Sequence, residues 1–425
     1  MTDLKKNHNS NKTIIHRIQH TLDLINQMKK SKRAKIDLIP SNSQLNYSIH
    51  QIIKKNSFLL NNFYAEGYPY KRYYEGCEEI DKIEILGQSY LQQLYGYPYS
   101  NLQLLSGAIA NQVVYNAVLN DSDIILTLDI YSGGHISHNK INIVSKQFKF
   151  VHYATNENYD IDYKKLKEIA LVKKPKLIVA GYSVGTYDID HKKIKSIAKE
   201  VGALYMADMS HIMGLIGAGY MNQPYPHADI VTSTTHKTMS GIKGAIIMCK
   251  DPIISKKINT TVFPKTQGGA NCSQIIINTL NFEYMLSEEF RTYAKKIISN
   301  ANTMTKCLNE LNISTITKIT KNHMNVIDLS QEKLNALKVA KLLDKINIVT
   351  NANITKNDTS IYRPTGIRFG TNIITSRNIS DEQIKSLCTI IAELIYDIKN
   401  NKALENIISY KNKIHKITIF IQNIE

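Results

Sequence analysis

The middle of the chain alternates short apolar runs with a stretch of helical periodicity. Pro175–Gly181 is apolar along most of its length, as a buried strand is, and apolar residues then recur at helical spacing across Ile194–Val201. Gly202 ends that pattern, and a second apolar run, Leu204–Ala207, follows directly. Strand, helix and strand in this order predict a parallel βαβ unit, so we expect an α/β fold with a mostly parallel sheet.

Two chemically useful side chains follow apolar runs of this kind. Asp208 comes directly after Leu204–Ala207, and Lys237 follows the run Ala228–Val231 and a cluster of hydroxyl residues. A carboxylate at the carboxyl end of a parallel strand faces the ligand crevice, and a lysine withdrawn from water has a lowered pKa and a nucleophilic amine. Pyridoxal phosphate (PLP) needs such a lysine for a Schiff base and such a carboxylate to keep its pyridine nitrogen protonated. A helix N-cap is an equally good interpretation of Asp208 alone, and a surface loop residue of Lys237 alone.

Other positions carry weaker signals for ligand binding. Ser106 and Gly107 begin a helical pattern, where free backbone N–H groups favour a phosphate. His135 lies in a glycine-containing loop, from which it can stack on a flat ring or cap a turn. Gly268–Gly269 indicates a close backbone approach. Arg368 lies between two glycines and suits bidentate binding of a carboxylate.

The length of 425 residues predicts more than one domain. We expect an N-terminal helical arm over 1–62, a large PLP-binding α/β domain over 63–282 and a smaller α+β domain over 283–425. The basic first ~35 residues have the composition of a transit peptide, but an apolar stripe at helical spacing favours a docking helix. The stripe consists of Ile14, Ile15, Ile18, Leu22, Leu24 and Ile25.

The net charge and the cysteines bear on partners and compartment. The formal charge of +17 is scattered along the chain, which favours an anionic small molecule or lysine-rich codon usage over nucleic acid. The five cysteines show no paired spacing, so we expect reduced thiols of a cytoplasmic protein and no metal site. No apolar run approaches the ~20 residues of a membrane span.

Several motifs together resemble one known family. From about Ile36 to Ile391 the chain resembles serine hydroxymethyltransferase, a PLP enzyme of the aspartate-aminotransferase-like fold type I. The motifs that carry the resemblance are YAEGYPYKRYYEGCEEID (64–81), DIYSGGHISH (129–138), ADMSHIMGLIGAG (207–219), PHADIVTSTTHKTMSG (226–241), VFPKTQGG (262–269) and TGIRFGT (365–371).

The resemblance implies a role for individual residues. Lys237 would form the Schiff base, Asp208 would pair with the pyridine nitrogen and His135 would stack on the ring. Glu66 would be the acid/base group. The other cofactor residues that it implies are Ser106, Gly107, Ser183, His211, Thr234 and His236, with Gly268 and Gly269 contributed by the other subunit of a dimer. The implied amino-acid ligands are Arg368 and Ser41, and the implied folate residues are Ile130, Ile136, Asn353 and Phe263. Tyr64 and Tyr74 would be neighbours of Glu66, and all three would reach across the dimer interface.

The implied activity is the reversible transfer of the hydroxymethyl group of serine to tetrahydrofolate, which yields glycine and a methylene-carrying folate in one-carbon metabolism. The implied assembly is a homodimer or a dimer of dimers. Several positions depart from the family pattern, and those that bear on the acceptor are Ala108, Asn42, Lys243 and Tyr70. They leave open a folate-independent PLP aldolase or transaldolase of β-hydroxy amino acids. A degenerate homologue that binds nucleic acid is the least favoured alternative.

Overall fold

The structure is a computed structural model that describes residues 19, 21–56, 63–140 and 143–421. Ile14, Ile15 and Ile18 of the predicted N-terminal stripe lie outside the described residues, whereas 21–34 is helical. A strand, a helix and a hairpin lead from there into the large domain. These elements are α1 (21–34), β1 (Ile36–Asp37), α2 (Tyr47–Lys55), β2 (Gly67–Tyr68) and β3 (Lys71–Arg72).

A seven-stranded sheet forms the centre of the large domain. Its strands are β4 (Tyr99–Leu104), β5 (Ile124–Leu128), β6 (Lys149–Tyr153), β7 (Leu177–Ala180), β8 (Leu204–Asp208), β9 (Ile230–Thr234) and β10 (Ala245–Cys249). Across the sheet they follow the order β4-β10-β9-β8-β7-β5-β6. β10 is antiparallel to both of its neighbours, and the pairs from β9 to β6 are parallel. The predicted α/β fold with a mostly parallel sheet is confirmed.

Helices cover both faces of this sheet. In β8, Tyr205 and Ala207 pack into the core on one face, and Met206 between them packs into the core on the other. A strand buried on both faces is apolar along its whole length, which is why β7, β8 and β10 read as continuous apolar runs. The helices are α3 (Glu78–Tyr95), α4 (Gly107–Val118), α5 (Tyr163–Lys173), α6 (His191–Glu200), α7 (Met213–Gly217), α8 (Pro252–Thr260) and α9 (Cys272–Met285).

The C-terminal region builds a separate core around an antiparallel sheet of order β11-β14-β13. The helical stretch that leads into it divides at Ser287, whose hydroxyl caps the second helix by accepting from the N–H of Phe290 at 3.2 Å. β1 pairs with β12, so Ile36 and Leu38 of the arm belong to this core. The exact domain limits stay a prediction. The elements are α10 (Glu288–Glu310), β11 (Met324–Asp328), α11 (Ala336–Lys345), β12 (Ile348–Val349), β13 (Asn351–Asn353), β14 (Gly366–Gly370), α12 (Asn372–Ser376), α13 (Asp381–Lys399) and α14 (Ile407–Ile421).

Three features of the described residues bear on partners. None of their helices combines the length and the apolar character that crossing a membrane requires. Their five cysteines are free thiols. No cluster of three or more histidine, cysteine or acidic side chains within these ranges has the arrangement of a metal site.

Candidate active site

The carboxyl ends of neighbouring parallel strands meet at one edge of the large sheet, where they open a cavity of about 310 Å³. Asp208, the last residue of β8, pairs with Thr232 of β9, and Lys237 lies three residues beyond the end of β9. This volume is within the range of small-molecule binding sites. The predicted site residues that line the cavity are Ser41, Gly107, His135, Ser183, Asp208, His211, Thr234, His236 and Lys237.

The amine of Lys237 faces this cavity without a protein partner. The residue is only 8% exposed, and among the described residues its Nζ forms no hydrogen bond or ion pair. Burial lowers the pKa of Lys237 to about 8, while the charge of Asp208 opposes that change and the charge of Arg368 adds to it. A buried amine with a lowered pKa is a competent nucleophile toward a carbonyl carbon.

The carboxylate of Asp208 is held by donors on both oxygens. Oδ1 accepts from the N–H of Ser210 at 3.1 Å and from its hydroxyl at 2.6 Å. Oδ2 accepts from Asn111 Nδ2 at 2.9 Å and contacts His138 Nε2 at 2.9 Å. Burial by itself would raise the pKa of Asp208, but the hydrogen bonds from His138 and Ser210 help to lower it below its ordinary value. Asp208 is therefore an anion at the cavity wall and not a helix N-cap.

His135 is fixed by the loop that follows β5. Its Nδ1 accepts from the N–H of Ser137 at 3.1 Å. The loop needs glycine at Gly133, where φ is +94° and a Cβ would lie 1.8 Å from the carbonyl oxygen of Val184. Burial is the main cause that lowers the pKa of His135 to about 4, so the ring is neutral at neutral pH. A neutral, flat ring at the cavity wall suits stacking on an aromatic cofactor.

His211 also lines the cavity, and it lies next to a second buried histidine, His323. His211 Nδ1 is 3.4 Å from His323 Nε2, and the two rings are nearly parallel with centroids 5.6 Å apart. Burial lowers the pKa of His211 well below its ordinary value. His211 therefore offers a neutral ring to a ligand. His323 was not predicted from the sequence.

The start of α4 has the features of a phosphate site. Ser106 caps this helix by accepting from the N–H of Ile109 at 3.3 Å. A Cβ at Gly107 would lie 2.7 Å from Thr234 Cγ2, so the first turn approaches β9 closely. His236 Nδ1 is buried and has no hydrogen-bond partner in the described part of the chain. A helix N-terminus beside an unsatisfied ring nitrogen fits an anion such as the phosphate of PLP.

Arg368 on β14 reaches the same region from the C-terminal domain. Its Nη1 donates to the carbonyl of Ser183 at 2.7 Å, its Nε to Asn351 Oδ1 at 3.2 Å and its Nη2 to the hydroxyl of Ser41 at 3.4 Å. The side chain is 8% exposed, and burial lowers its pKa to about 10. None of the ion pairs among the described residues includes Arg368. A buried guanidinium without an acidic partner is completed by a carboxylate ligand.

Several other predicted residues form a second group outside the cavity lining. The rings of Tyr64 and Tyr74 lie 5.9 Å apart. A Cβ at Gly269 would lie 3.3 Å from the side chains of both Glu66 and Tyr64. Phe263 packs on the neighbouring hairpin, with its ring 5.7 Å from that of Tyr73. One chain therefore holds two separate groups of predicted site residues.

A buried ion network fixes the backbone around Glu66. Arg72 Nη1 donates to the carbonyl groups on either side of Glu66, at 2.9 and 2.8 Å. Its Nε donates to Asp81 at 2.8 Å and its Nη2 to Glu84 at 2.7 Å, and all three side chains are buried. Sequence reasoning missed this network because its members look like ordinary surface charges until the fold buries them.

None of the four predicted folate residues is among those that line the cavity. Ile130 and Ile136 lie on short 3-10 turns that flank Gly133 and His135, and Asn353 lies on β13. The side chain of Asn353 accepts from Asn351 Nδ2 at 2.6 Å, next to Arg368. Phe263 lies with the second group. Ile130 and Ile136 share a loop with His135, which lines the cavity, and the strand of Asn353 pairs with the strand of Arg368.

The departures from the family pattern differ in their positions. Ala108 lines the cavity and supplies no hydroxyl. Asn42 donates to Asp37 Oδ2 at 2.8 Å, and Lys243 is exposed. Tyr70 has φ of +59°, in the left-handed region that favours glycine. Only Ala108 of these four lines the cavity itself.

Comparison with known proteins agrees with this geometry. A family profile described as serine hydroxymethyltransferase matches residues 16–391. The chain is similar to the serine hydroxymethyltransferase of Campylobacter jejuni subsp. doylei, with 37% identity over 387 residues, which is 91% of this chain and 93% of the relative. It is also similar to the enzymes of that name from Francisella philomiragia, with 37% identity over 89% of this chain and 91% of the relative, and Rickettsia akari, with 36% identity over 94% of this chain and 95% of the relative.

Proposed function

The chain belongs to the serine hydroxymethyltransferase family and is a PLP-dependent enzyme, and we propose that it transfers the hydroxymethyl group of serine to tetrahydrofolate and back. The observation that carries the proposal is the position of Arg368. This buried, unpaired guanidinium is close enough to the Lys237 amine to lower its pKa. A PLP enzyme that acts on an amino acid needs two groups side by side. One is a cation that binds the carboxylate of the amino acid, as Arg368 can, and the other is an amine that reacts with the aldehyde of PLP, as Lys237 can.

The cavity residues fit PLP at each end of the cofactor. Lys237 would hold it covalently, Asp208 would hold the protonated pyridine nitrogen, and the start of α4 with His236 would hold the phosphate. When bound, PLP supplies an electron-withdrawing ring that stabilises negative charge at the amino acid's Cα. Asp208 supports that chemistry because its lowered pKa keeps it anionic.

The amino acid is oriented by residues of both domains. Arg368 and Ser41, which already share a hydrogen bond, would bind its carboxylate. Since Arg368 is anchored by Ser183 and Asn351, it would hold the substrate's Cα in one orientation. Glu66 would exchange a proton with the substrate hydroxyl or with a folate nitrogen.

Glu66 lies in the second group, so we propose that two subunits complete each site. Tyr64, Glu66, Tyr74, Gly268 and Gly269 of one chain would face the cavity of its partner. Mixing two inactive variants tests this arrangement. Lys237→Ala removes the cavity function and Glu66→Gln removes the second group's function, so only a mixed dimer contains one intact site. Recovery of activity on mixing, without recovery in either variant alone, is the expected result. No recovery from a verified mixed dimer would contradict shared sites.

The activity itself is tested with the purified protein, PLP and glycine. PLP should produce a visible absorption band, glycine should change it, and tetrahydrofolate should strengthen the glycine-dependent change. Serine should then yield glycine only in the presence of folate. A glycine response that folate leaves unchanged, with cleavage of allo-threonine, would instead support the folate-independent aldolase. A protein that takes up no PLP would overturn both.

Compartment and assembly extend the proposal. We place the enzyme in the cytoplasm as a homodimer or a dimer of dimers. The free cysteines and the absence of a membrane-crossing helix within the described residues support the first statement. The division of the site residues into two groups supports the second.

A further inference from the structure

A chain of hydrogen bonds runs from Asp208 through His138, which also lines the cavity, to Tyr115 in the core. Asp208 Oδ2 contacts His138 Nε2 at 2.9 Å, and His138 Nδ1 contacts the hydroxyl of Tyr115 on α4. Tyr115 is fully buried, with its ring edge-on to His138. Asn111, one turn earlier on α4, donates to the same carboxylate oxygen and accepts from Thr232 at 2.8 Å. None of these inner residues was singled out from the sequence.

The donors and acceptors of this chain fix the proton positions. Asp208 is an anion, so the contact at Oδ2 requires a proton on His138 Nε2. If Nδ1 also carried a proton, the Tyr115 hydroxyl would have to accept a hydrogen bond from Nδ1. Its own hydrogen would then have to point elsewhere. Among the described residues that hydroxyl has no second partner, and a buried hydroxyl hydrogen left unbonded costs free energy. The hydroxyl therefore donates to Nδ1, and His138 is neutral.

Burial supports the same assignment for the phenol. It raises the pKa of Tyr115 well above its ordinary value, and the nearby charge of Asp208 acts in the same direction. The phenol therefore keeps its hydrogen as a donor across the working pH range. Asp208 then faces neutral donors on both oxygens: Asn111, Ser210 and a neutral His138.

We propose that Tyr115 is a positioning residue for the reaction, because it holds His138 in the neutral form that donates to Asp208. A charged imidazolium at this position would neutralise the carboxylate. A neutral one leaves the full negative charge of Asp208 for the cavity side, where the proposed function requires it to hold a protonated pyridine nitrogen. The inference rests on that proposed function and adds a residue that acts through two others.

The test compares Tyr115→Phe with Tyr153→Phe. Tyr153 is a matched control, since it is also buried and its hydroxyl also makes a single hydrogen bond, to the carbonyl of Val179 at 3.0 Å. Each change removes one buried hydroxyl, so both PLP-free proteins should lose similar thermal stability. Only Tyr115→Phe should weaken PLP binding, by about ten-fold in the dissociation constant. It should also alter the absorption band of the bound cofactor and lower kcat for serine with little change in KM.

A double substitution isolates the role of the histidine. The side chain introduced by His138→Gln carries an amide N–H that can take the place of the His138 Nε2–H, and this donor does not depend on Tyr115. In a His138→Gln background, Tyr115→Phe should therefore leave PLP affinity unchanged. An equal loss in both backgrounds would overturn the inference.

The outcomes separate this inference from the proposed function. If the unsubstituted protein binds PLP and converts serine but Tyr115→Phe behaves like Tyr153→Phe, the role of Tyr115 fails alone. If the unsubstituted protein binds no PLP, both fail. Should Tyr115→Phe not fold, nitrogen NMR of histidine-labelled, PLP-free protein decides, with His138 assigned by His138→Gln. One protonated nitrogen, Nε2, supports the inference, and two protonated nitrogens overturn it.

Discussion

Asp208 and Lys237 lie at the carboxyl ends of the neighbouring parallel strands β8 and β9 and line one cavity. Burial lowers the pKa of the amine to about 8, and the carboxylate limits how far it falls. The anion therefore serves two purposes, because it lines the cavity and keeps most of the lysine protonated at neutral pH. The charge of Arg368 has the opposite effect and lowers the pKa of Lys237.

This balance predicts the pH dependence of cofactor loading. The rate at which added PLP becomes attached to Lys237 should rise with pH and level off above a midpoint near 8, because the free amine is the nucleophile. The ordinary value for lysine is 10.5. The rate is measured on PLP-free protein by trapping the attached cofactor with borohydride at a series of pH values.

Arg368→Gln serves as the directional control. It removes a positive charge that lowers the pKa of Lys237, so the midpoint should move to higher pH. Arg363→Gln, at an exposed position of the same domain, should leave it unchanged. A midpoint near 10.5 in the unsubstituted protein, or a downward shift in Arg368→Gln, would refute this account.

Ala108→Ser should tighten PLP binding. Ala108 follows Gly107 in the first turn of α4 and lines the cavity where we propose that the phosphate of PLP binds. One added hydrogen bond contributes about 1 kcal/mol, which corresponds to a fall of about five-fold in the dissociation constant. Absorbance titration of PLP measures it. Ala110→Ser is the control, because Ala110 lies on the same helix but packs in the core, and it should lower stability without improving affinity. Unchanged affinity in Ala108→Ser would contradict a phosphate site there.

The sequence predicted the residues that stand at strand ends or within motifs, and not the residues that support them. Lys237, Asp208 and Arg368 follow apolar runs or lie between glycines, which are local signals. His138 lies three residues after His135, a spacing that could have marked it. Tyr115 could not be predicted, because its role depends on how α4 packs against the loop after β5. The assignment of residues to two groups likewise requires the tertiary fold.

Arg72→Met should unfold the protein at much lower urea concentration. Arg72 is the buried partner of both Asp81 and Glu84, so its removal leaves two carboxylates without compensation. Removing one partner of a buried pair costs about 3–5 kcal/mol. Lys82→Met on α3 is the control. Its pair with Glu79 is solvent-exposed at 3.7 Å and contributes at most about 1 kcal/mol.

The stability of the Arg72→Met variant should also depend on pH in a defined direction. Burial raises the pKa of Glu84 above its ordinary 4.5, and Arg72 opposes that rise. Without Arg72 the folded-state pKa rises further, so the folded protein binds more protons than the unfolded protein above pH 4.5. The loss of stability relative to the unsubstituted protein should therefore shrink as pH falls toward 4.5. It should grow as pH rises through the pKa that Glu84 has in the folded variant. A deficit that is constant between mildly acidic and neutral pH would exclude Glu84 as its cause.

Tyr70→Gly should stabilise the loop that carries Glu66. Tyr70 is 73% exposed and has φ of +59°, where a side chain costs about 1 kcal/mol that glycine does not. Its N–H donates to Asp81 at 2.7 Å, and glycine keeps that bond. Glu75→Gly tests the backbone argument in the same loop, because Glu75 is not among the described residues with positive φ, and glycine there should cost roughly 0.5–1 kcal/mol. Urea unfolding should therefore give changes of opposite sign for the two variants. Equal signs would mean that the left-handed backbone at Tyr70 stores no strain.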